Sequence, residues 1–110
     1  MLLLSITRAG DLLGVRDGRR VRIAGVVIVR QRPGTAKGFV FITVEDETGF
    51  ANAIVTPQRF ARDKQVIVAS SALVIDGVVQ NLDGVVSIKA DRFTALDGHA
   101  AAADISHDFH

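Results

Sequence analysis

Apolar and polar residues alternate over five segments of the chain, and this period of two is typical of β-strands. The segments are rich in Val and Ile, which favour strands. The alternation predicts strands at 20–31, 39–45, 50–55, 72–80 and 85–93. Gly25 lies in the middle of the first and longest segment. A glycine inside a strand indicates a bulge or a sharp bend, so we expect this strand to bend there.

Turn residues and one helix signal separate the strands. Glycine-containing loops or turns are predicted at 32–38, 46–49 and 81–84. Thr56 and Pro57 predict the start of a helix, because Thr is a good N-cap residue and Pro fits the first helical position. We expect a short helix over 57–64, with Phe60 facing inward.

Three strands, a helix and two further strands are the layout of one small all-β architecture. A bent first strand can pair on both edges and close a barrel, while the helix covers one open end. We therefore predict a five-stranded Greek-key OB-fold barrel with a short helix between strands three and four. The expected organisation is an N-terminal lead-in at 1–19, the OB-fold domain at 20–93 and a flexible C-terminal tail at 94–110.

The alternation also assigns residues to the two faces of the sheet. The expected interior includes Ile23, Val40, Ile42, Val44, Val86 and Ile88. The outward set is Phe39, Phe41 and Thr43 on strand two, with Lys89 on strand five. Exposed aromatic residues of this kind indicate contact with a ligand or partner. If the sheet turned the other way, both phenylalanines would be core residues, and the alternation alone leaves that alternative open.

Composition restricts the class of protein. The 110 residues fit one domain, and the absence of cysteine excludes a disulfide scaffold and a cysteine-based zinc site. No apolar run approaches the ~20 residues of a membrane span, and no targeting segment is visible, so we expect a cytoplasmic protein. The net charge of +1 combines a balance of +6 over residues 1–37 with −5 over residues 38–110. The N-terminal third can therefore present a basic face.

The loop after strand one is the first candidate for binding. Arg30, Arg32 and Lys37 fall within eight residues, with no acidic residue among them. In OB-folds the loop between strands one and two helps to hold the ligand, and Arg matches phosphate oxygens well. Together with Phe41 as a stacking residue, these cations predict single-strand binding. A solvated loop kept charged for solubility is the alternative.

No pattern in the sequence predicts an active site, a metal site or a cofactor. The acidic run at 45–47 continues into Thr48-Gly49 and is interpreted as a hairpin turn. The phosphate-binding Gly-x-x-x-x-Gly-Lys-Ser/Thr motif is absent. Imidazole and carboxylate groups of the tail could bind a metal, but a mobile tail is the preferred interpretation. These tail residues are His99, Asp104, His107, Asp108 and His110.

The stretch at 20–55, above all VRQRPGTAKG followed by FITVEDETG, resembles the OB-fold region of bacterial C-family DNA polymerase alpha subunits. The resemblance is strongest to their error-prone, damage-tolerance branch and covers about residues 11–93. The final SHDFH also resembles the extreme C-terminus of that family. The resemblance implies a module that holds single-stranded template near a translesion polymerase. The catalytic region of that family is missing, so we expect no enzymatic activity.

A broader resemblance concerns strands two and three. Residues 41–44, Phe-Ile-Thr-Val, followed by Asn52, are similar to the anticodon-binding OB domains of class II aminoacyl-tRNA synthetases. That similarity implies that Phe41 stacks on a base and Asn52 hydrogen-bonds to a base edge. The complete set of expected nucleic-acid-binding residues is Arg30, Arg32, Lys37, Phe39, Phe41, Thr43, Asn52 and Lys89.

Two functions of different classes remain open at this point. The first is the binding of single-stranded DNA, with RNA as a second possible ligand. The alternative is a protein-interaction OB domain that docks the polymerase to an accessory damage-response partner, with Phe39 and Phe41 as anchors.

Overall fold

The structure is a computed structural model that describes residues 5–96. Five strands form a closed barrel, as the sequence predicts. They are β1 (Arg20–Gln31), β2 (Val40–Asp46), β3 (Gly49–Val55), β4 (Ala72–Leu82) and β5 (Val85–Ala95). Their order around the barrel is β1-β2-β3-β5-β4. The single α-helix of the described residues, α1 (Pro57–Ala69), lies between β3 and β4. Two short 3₁₀ helices lie at Ala9–Gly14 and Gly34–Ala36.

The first strand closes the barrel because it pairs along both edges. Its first half pairs with β4 and its second half with β2, and Val26 belongs to both pairings. The neighbouring Gly25 is in contact with β2, since a Cβ atom there would lie 2.5 Å from the carbonyl oxygen of Glu45. Gly25 therefore lies where β1 changes partner and approaches β2 closely. A β-bulge follows at Ile28, where the register with β2 shifts.

The helix is longer than predicted and reaches Ala69 instead of residue 64. Thr56 caps its start as expected, with the side-chain oxygen accepting a hydrogen bond from the amide of Arg59 at 3.2 Å. Asp63 has a non-helical conformation (φ −111°, ψ 19°), so the helix is kinked near its predicted end. The second half continues because Ile67 is fully buried, and this packing outweighs the strand preference of the Val- and Ile-rich sequence there.

The barrel interior is lined by aliphatic side chains from all five strands. Five of the six predicted interior residues are buried, namely Ile23, Val40, Ile42, Val44 and Ile88. The prediction was wrong in degree for Val86, which is half-buried and packs against the core near the end of the β4–β5 hairpin. Phe60 is likewise half-buried and packs against the core. The most deeply buried residue of α1 is Ile67.

The described part of the lead-in packs onto the barrel. Ile6 forms a parallel bridge with Arg22. The 3₁₀ helix that follows buries Ala9 and Leu12 in the same core as the strands. Among residues 5–96 no helix has the length and hydrophobicity that crossing a membrane requires. The tail residues considered above, from His99 to His110, lie outside the described residues.

Candidate nucleic-acid interface

The outward side of the second half of β1, of β2 and of β3 forms a continuous surface, which we call the platform. It comprises Val29, Gln31, Phe41, Thr43, Glu45, Phe50, Asn52 and Ile54. Glu45 is an exposed acidic residue and the register partner of Phe50. The predicted direction of β2 is confirmed, because Val40, Ile42 and Val44 are buried whereas Phe41 and Thr43 are partly exposed. Phe39, just before β2, is also partly exposed.

Strand register arranges the platform in rows across the strands. One row runs from Gln31 through Phe41 and Ile54 to Lys89, the exposed register partner of Ile54 on β5. Neighbouring strands are about 4.8 Å apart, so this row spans about 14 Å. It places an amide, an aromatic ring, an aliphatic side chain and a cation side by side.

The second row is polar at its centre. Val29 pairs with Thr43, and Thr43 with Asn52. The Thr43 hydroxyl donates a hydrogen bond to Oδ1 of Asn52 at 2.8 Å. This bond holds the carboxamide, whose amino group is a donor that can reach beyond the sheet. Asn52 is exposed and adjacent to the row that contains Phe41.

The structure directs Arg30 to the other side of the sheet. Its register partner is Ile42, an interior residue. Its guanidinium reaches the end of α1, where Nε donates to the carbonyl of Ile67 at 2.9 Å and Nη2 donates to the carbonyl of Ser70. The last carbonyls of a helix lack partners within the helix and carry partial negative charge. Arg30 therefore acts as a cap for the C-terminal end of α1.

The bulge explains why Arg30 lies on that side. Ile23 and Val27 face inward, and simple alternation from them places Arg30 outward. The extra residue at Ile28 reverses this parity, because a shift of one residue moves every following side chain to the opposite face. Gln31 therefore joins the platform in place of Arg30.

The two other cations of the basic loop differ from each other. The guanidinium carbon of Arg32 lies 5.3 Å from the ring centroid of Phe60, in the range of a cation–π contact with α1. Lys37 is exposed and has a left-handed backbone conformation (φ 55°) at the end of the short 3₁₀ helix. The three cations thus differ in their contacts, since Arg30 and Arg32 contact α1 whereas Lys37 is exposed. Their contacts with phosphate stay a prediction.

The acidic run at 45–47 covers the end of β2 and the start of the turn to β3, and Asp46 stabilises that turn. Oδ1 of Asp46 accepts hydrogen bonds from the amide and hydroxyl of Thr48 and from the amide of Gly49, at 2.7, 2.6 and 3.2 Å. Oδ2 accepts one from the amide of Ala9 at 2.8 Å. Burial raises the pKa of Asp46, but these hydrogen bonds together outweigh it and hold the pKa below its ordinary value. In the described part of the chain, no group of three His, Cys, Asp or Glu could hold a metal ion.

Sequence reasoning missed several members of the platform, above all Phe50. This side chain is 60% exposed, more than any other aromatic side chain of the described residues. Ile54 and Gln31 were missed as well. The signal was present in strand three, where Ala51, Ala53 and Val55 alternate as small or branched interior residues. Their positions place residues 50, 52 and 54 on the outer face.

Comparison with known families agrees with this fold. The sequence profile of the OB-fold nucleic acid binding domain matches residues 21–96. The chain therefore belongs to this family.

The predicted resemblance to error-prone polymerases is also confirmed. The chain is 47% identical over 97 residues to an error-prone DNA polymerase of Caulobacter vibrioides. The match covers 88% of this chain but only 9% of that polymerase. The chain thus spans about a tenth of the length of the curated relatives it matches.

Solved structures of low sequence identity share the fold. Asparaginyl-tRNA synthetase from Pyrococcus horikoshii superposes with a TM-score of 0.68 at 19% identity, over 86% of this chain and 23% of that one. A small single-stranded DNA binding protein from Mycoplasma pneumoniae superposes with a TM-score of 0.58 at 12% identity, over 68% of this chain and 90% of that one.

Proposed function

We propose that this domain binds single-stranded DNA across the platform and serves as a non-catalytic module of an error-prone DNA polymerase. The observation that carries the proposal is the row from Phe41 through Ile54 to Lys89, which offers an aromatic face for a base and a cation for the adjacent phosphate. Base stacking on an aromatic ring tolerates any sequence, which suits a module that holds template of arbitrary sequence. Binding of RNA by the same face is an outcome that the experiment below can distinguish.

Each expected site residue has a role in this proposal. Phe41 stacks on a base, and Phe39 stacks on or borders the next one. Asn52, held by Thr43, hydrogen-bonds to a base edge. Lys37 and Lys89 contact phosphates. Arg30 and Arg32 contact phosphates through guanidinium N–H groups that are not engaged at α1. Such groups remain because an arginine has five N–H donors.

The comparisons support the proposal through names and fold. The family profile is that of a nucleic-acid-binding domain, and one structural neighbour is a single-stranded DNA binding protein. Relatives named error-prone DNA polymerase match most of this chain, which supports a place beside such an enzyme. A role in replication past DNA damage and in repair, in the cytoplasm, is part of our proposal. With its partner polymerase, the module would keep single-stranded template close to the enzyme.

A salt titration with a labelled dT oligomer tests the proposal. Phe41→Ala is expected to weaken binding by about 5- to 150-fold, because a stacked base contributes roughly 1–3 kcal/mol. The slope of log affinity against log salt should not change, since stacking releases no counterions. Lys37→Gln should instead flatten the slope by about 0.7, the value for one phosphate contact of a single strand. An RNA oligomer of equal length, run in parallel, compares the two nucleic acids.

Val68→Ala is the matched control, because Val68 is an exposed apolar residue of α1 outside the platform. It should leave affinity unchanged. Absence of binding by the unmodified chain at low salt would contradict the proposal and favour the docking of a protein on Phe39 and Phe41. Unfolding of Phe41→Ala, detected by circular dichroism, would show that this ring stabilises the barrel instead.

A further inference from the structure

A polar cleft of about 580 Å³ lies beside the start of β1. Its described lining residues all belong to the lead-in and to the first positions of β1, outside the platform. They include three arginines, Arg16, Arg19 and Arg20, and two hydroxyl side chains, Ser5 and Thr7. The arginines carry positive charge, and both the arginines and the hydroxyl groups donate hydrogen bonds. This combination suits phosphate oxyanions.

A tight turn holds two of these arginines close together. The amide of Arg19 donates to the carbonyl of Arg16 at 3.1 Å, and Gly18 at the third position has a φ of +88°. The end residues of a β-turn have Cα atoms less than about 7 Å apart. The backbone thus keeps the Cα atoms of Arg16 and Arg19 near each other, so both side chains are within reach of one anion in the cleft.

Hydrogen bonds to β4 fix the position of this turn. The amide of Gly18 donates to the carbonyl of Val79 at 2.7 Å, and the amide of Val79 donates to the carbonyl of Arg19 at 2.8 Å. The acidic residue within the turn, Asp17, accepts a hydrogen bond from the amide of Asn81 at 2.7 Å. The turn is therefore preorganised, which reduces the entropy lost when a ligand binds.

Of the three arginines that line the cleft, only Arg20 has an ion-pair partner among residues 5–96. Arg20 donates two hydrogen bonds to Asp91, at 2.7 and 2.8 Å. Among residues 5–96, neither Arg16 nor Arg19 takes part in an ion pair, and both are exposed. The guanidinium groups of Arg16 and Arg19, which line the cleft together with the hydroxyl side chains, therefore remain available to a ligand.

We infer that this cleft is an oxyanion site in which Arg16 and Arg19 bind backbone phosphates of a single-stranded nucleic acid. That the phosphates belong to a nucleic acid rests on the proposed function. That the cleft binds oxyanions does not. The site gives the strand a second charged contact, separate from the platform and from the loop that contains Lys37.

The double variant Arg16→Gln/Arg19→Gln tests this inference, with Lys64→Gln/Arg92→Gln as the matched control. The control removes the same charge from two exposed cations outside the cleft. With the dT oligomer, loss of two phosphate contacts should flatten the salt slope by about 1.4. If the two proteins bind equally at 1 M salt, a slope difference of 1.4 makes binding by the double variant roughly 25-fold weaker than binding by the unmodified chain at 0.1 M salt. The control should retain the slope of the unmodified chain.

A second experiment titrates the protein with inorganic pyrophosphate and follows its amide resonances by NMR. Pyrophosphate should shift the amide resonances of Gly18 and Arg19 in the unmodified chain and not in the double variant. If the double variant and the control show the same affinity and slope while the unmodified chain binds the oligomer, this inference is overturned and the proposed function stands. If the chain binds pyrophosphate through Arg16 and Arg19 but no oligomer, the oxyanion site is supported, its phosphate source is a free anion, and the proposed function fails.

Discussion

The chain has two arginine-containing segments of similar appearance, one before β1 and one at its end, and the structure uses them differently. Arg30 and Arg32 turn toward α1, where one caps the helix and the other lies against Phe60. Arg16 and Arg19 border an open cleft. Clustered charge in a sequence therefore does not reveal which cations remain available to a ligand. The side to which the backbone directs each side chain decides that.

The register of β1 causes the difference. The bulge at Ile28 places Arg30 on the interior side beside Ile42, where the end of α1 needs a donor. The turn that ends at Arg19 has no such neighbour and is bonded to β4 only through its backbone and Asp17. Substitutions at these positions should separate residues that stabilise the barrel from residues that bind.

The largest effect is expected at Ile42, the interior neighbour of Arg30. Ile42→Ala should lower the free energy of unfolding by roughly 2–5 kcal/mol, because it removes a fully buried side chain and leaves a cavity. Urea denaturation measures the change. A loss below about 0.5 kcal/mol would mean that this side of the sheet is not the interior, and the assignment of Arg30 to the helix side would fail with it.

Arg30→Ala should have the next largest effect, about 2 kcal/mol. It removes two hydrogen bonds from a charged donor and leaves carbonyls at the end of α1 without that partner. Arg16→Ala is the contrasting variant, expected to change stability by less than about 0.5 kcal/mol because its side chain makes no hydrogen bond or ion pair within residues 5–96. Equal losses in the two variants, measured by the same denaturation, would remove the distinction between the segments.

Arg32→Gln should cost about 0.5–1 kcal/mol, the usual range of a cation–π contact near the surface. A double-mutant cycle with Phe60→Leu isolates this contact from other effects. The coupling between the two substitutions should account for most of the loss. Additive effects would show that Arg32 is free of the helix and available to a ligand, as the loop sequence first indicated.

The smallest effect concerns acid stability at Asp91, the partner of Arg20. The hydrogen bonds from Arg20 are the main cause that holds the pKa of Asp91 below its ordinary value. A lowered pKa stabilises the fold above the unfolded-state pKa of about 3.9, and this contribution disappears as the pH falls through the folded-state value. Asp91→Asn should therefore cost a few tenths of a kcal/mol at pH 7, with the difference shrinking below about pH 4. Stability curves across this range measure it, and a constant difference would contradict the pairing.

Much of the fold follows from the sequence because alternation is a local property. The outward direction of Phe41 follows from its buried neighbours Val40 and Ile42, and the start of α1 follows from Thr56. The end of α1 does not, because Ile67 is helical only through packing against the barrel.

The candidate site was less predictable than the barrel. Phe41, Thr43, Asn52 and Lys89 share the expected surface, since each lies on a regular part of its strand. The direction of Arg30 depends on a bulge whose exact position no local signal specifies, since Gly25 lies three residues before it. The cleft beside Arg16 depends on the contact between the lead-in and β4, which is distant in sequence.

The pairing between β3 and β5 has a consequence for motion. It is parallel and consists of two residue pairs, Ala53 with Ile88 and Ile54 with Lys89, whereas β4 and β5 pair along nearly their whole length. Parallel pairs are slightly less stable than antiparallel ones, and regions with few backbone hydrogen bonds open first in native proteins. Transient opening of the barrel should therefore begin at this junction, with amide hydrogens there exchanging sooner than those of the β4–β5 hairpin. Ile54 and Lys89 belong to the platform row that contains Phe41. A single-stranded nucleic acid bound across them would therefore stabilise the barrel at its weakest junction.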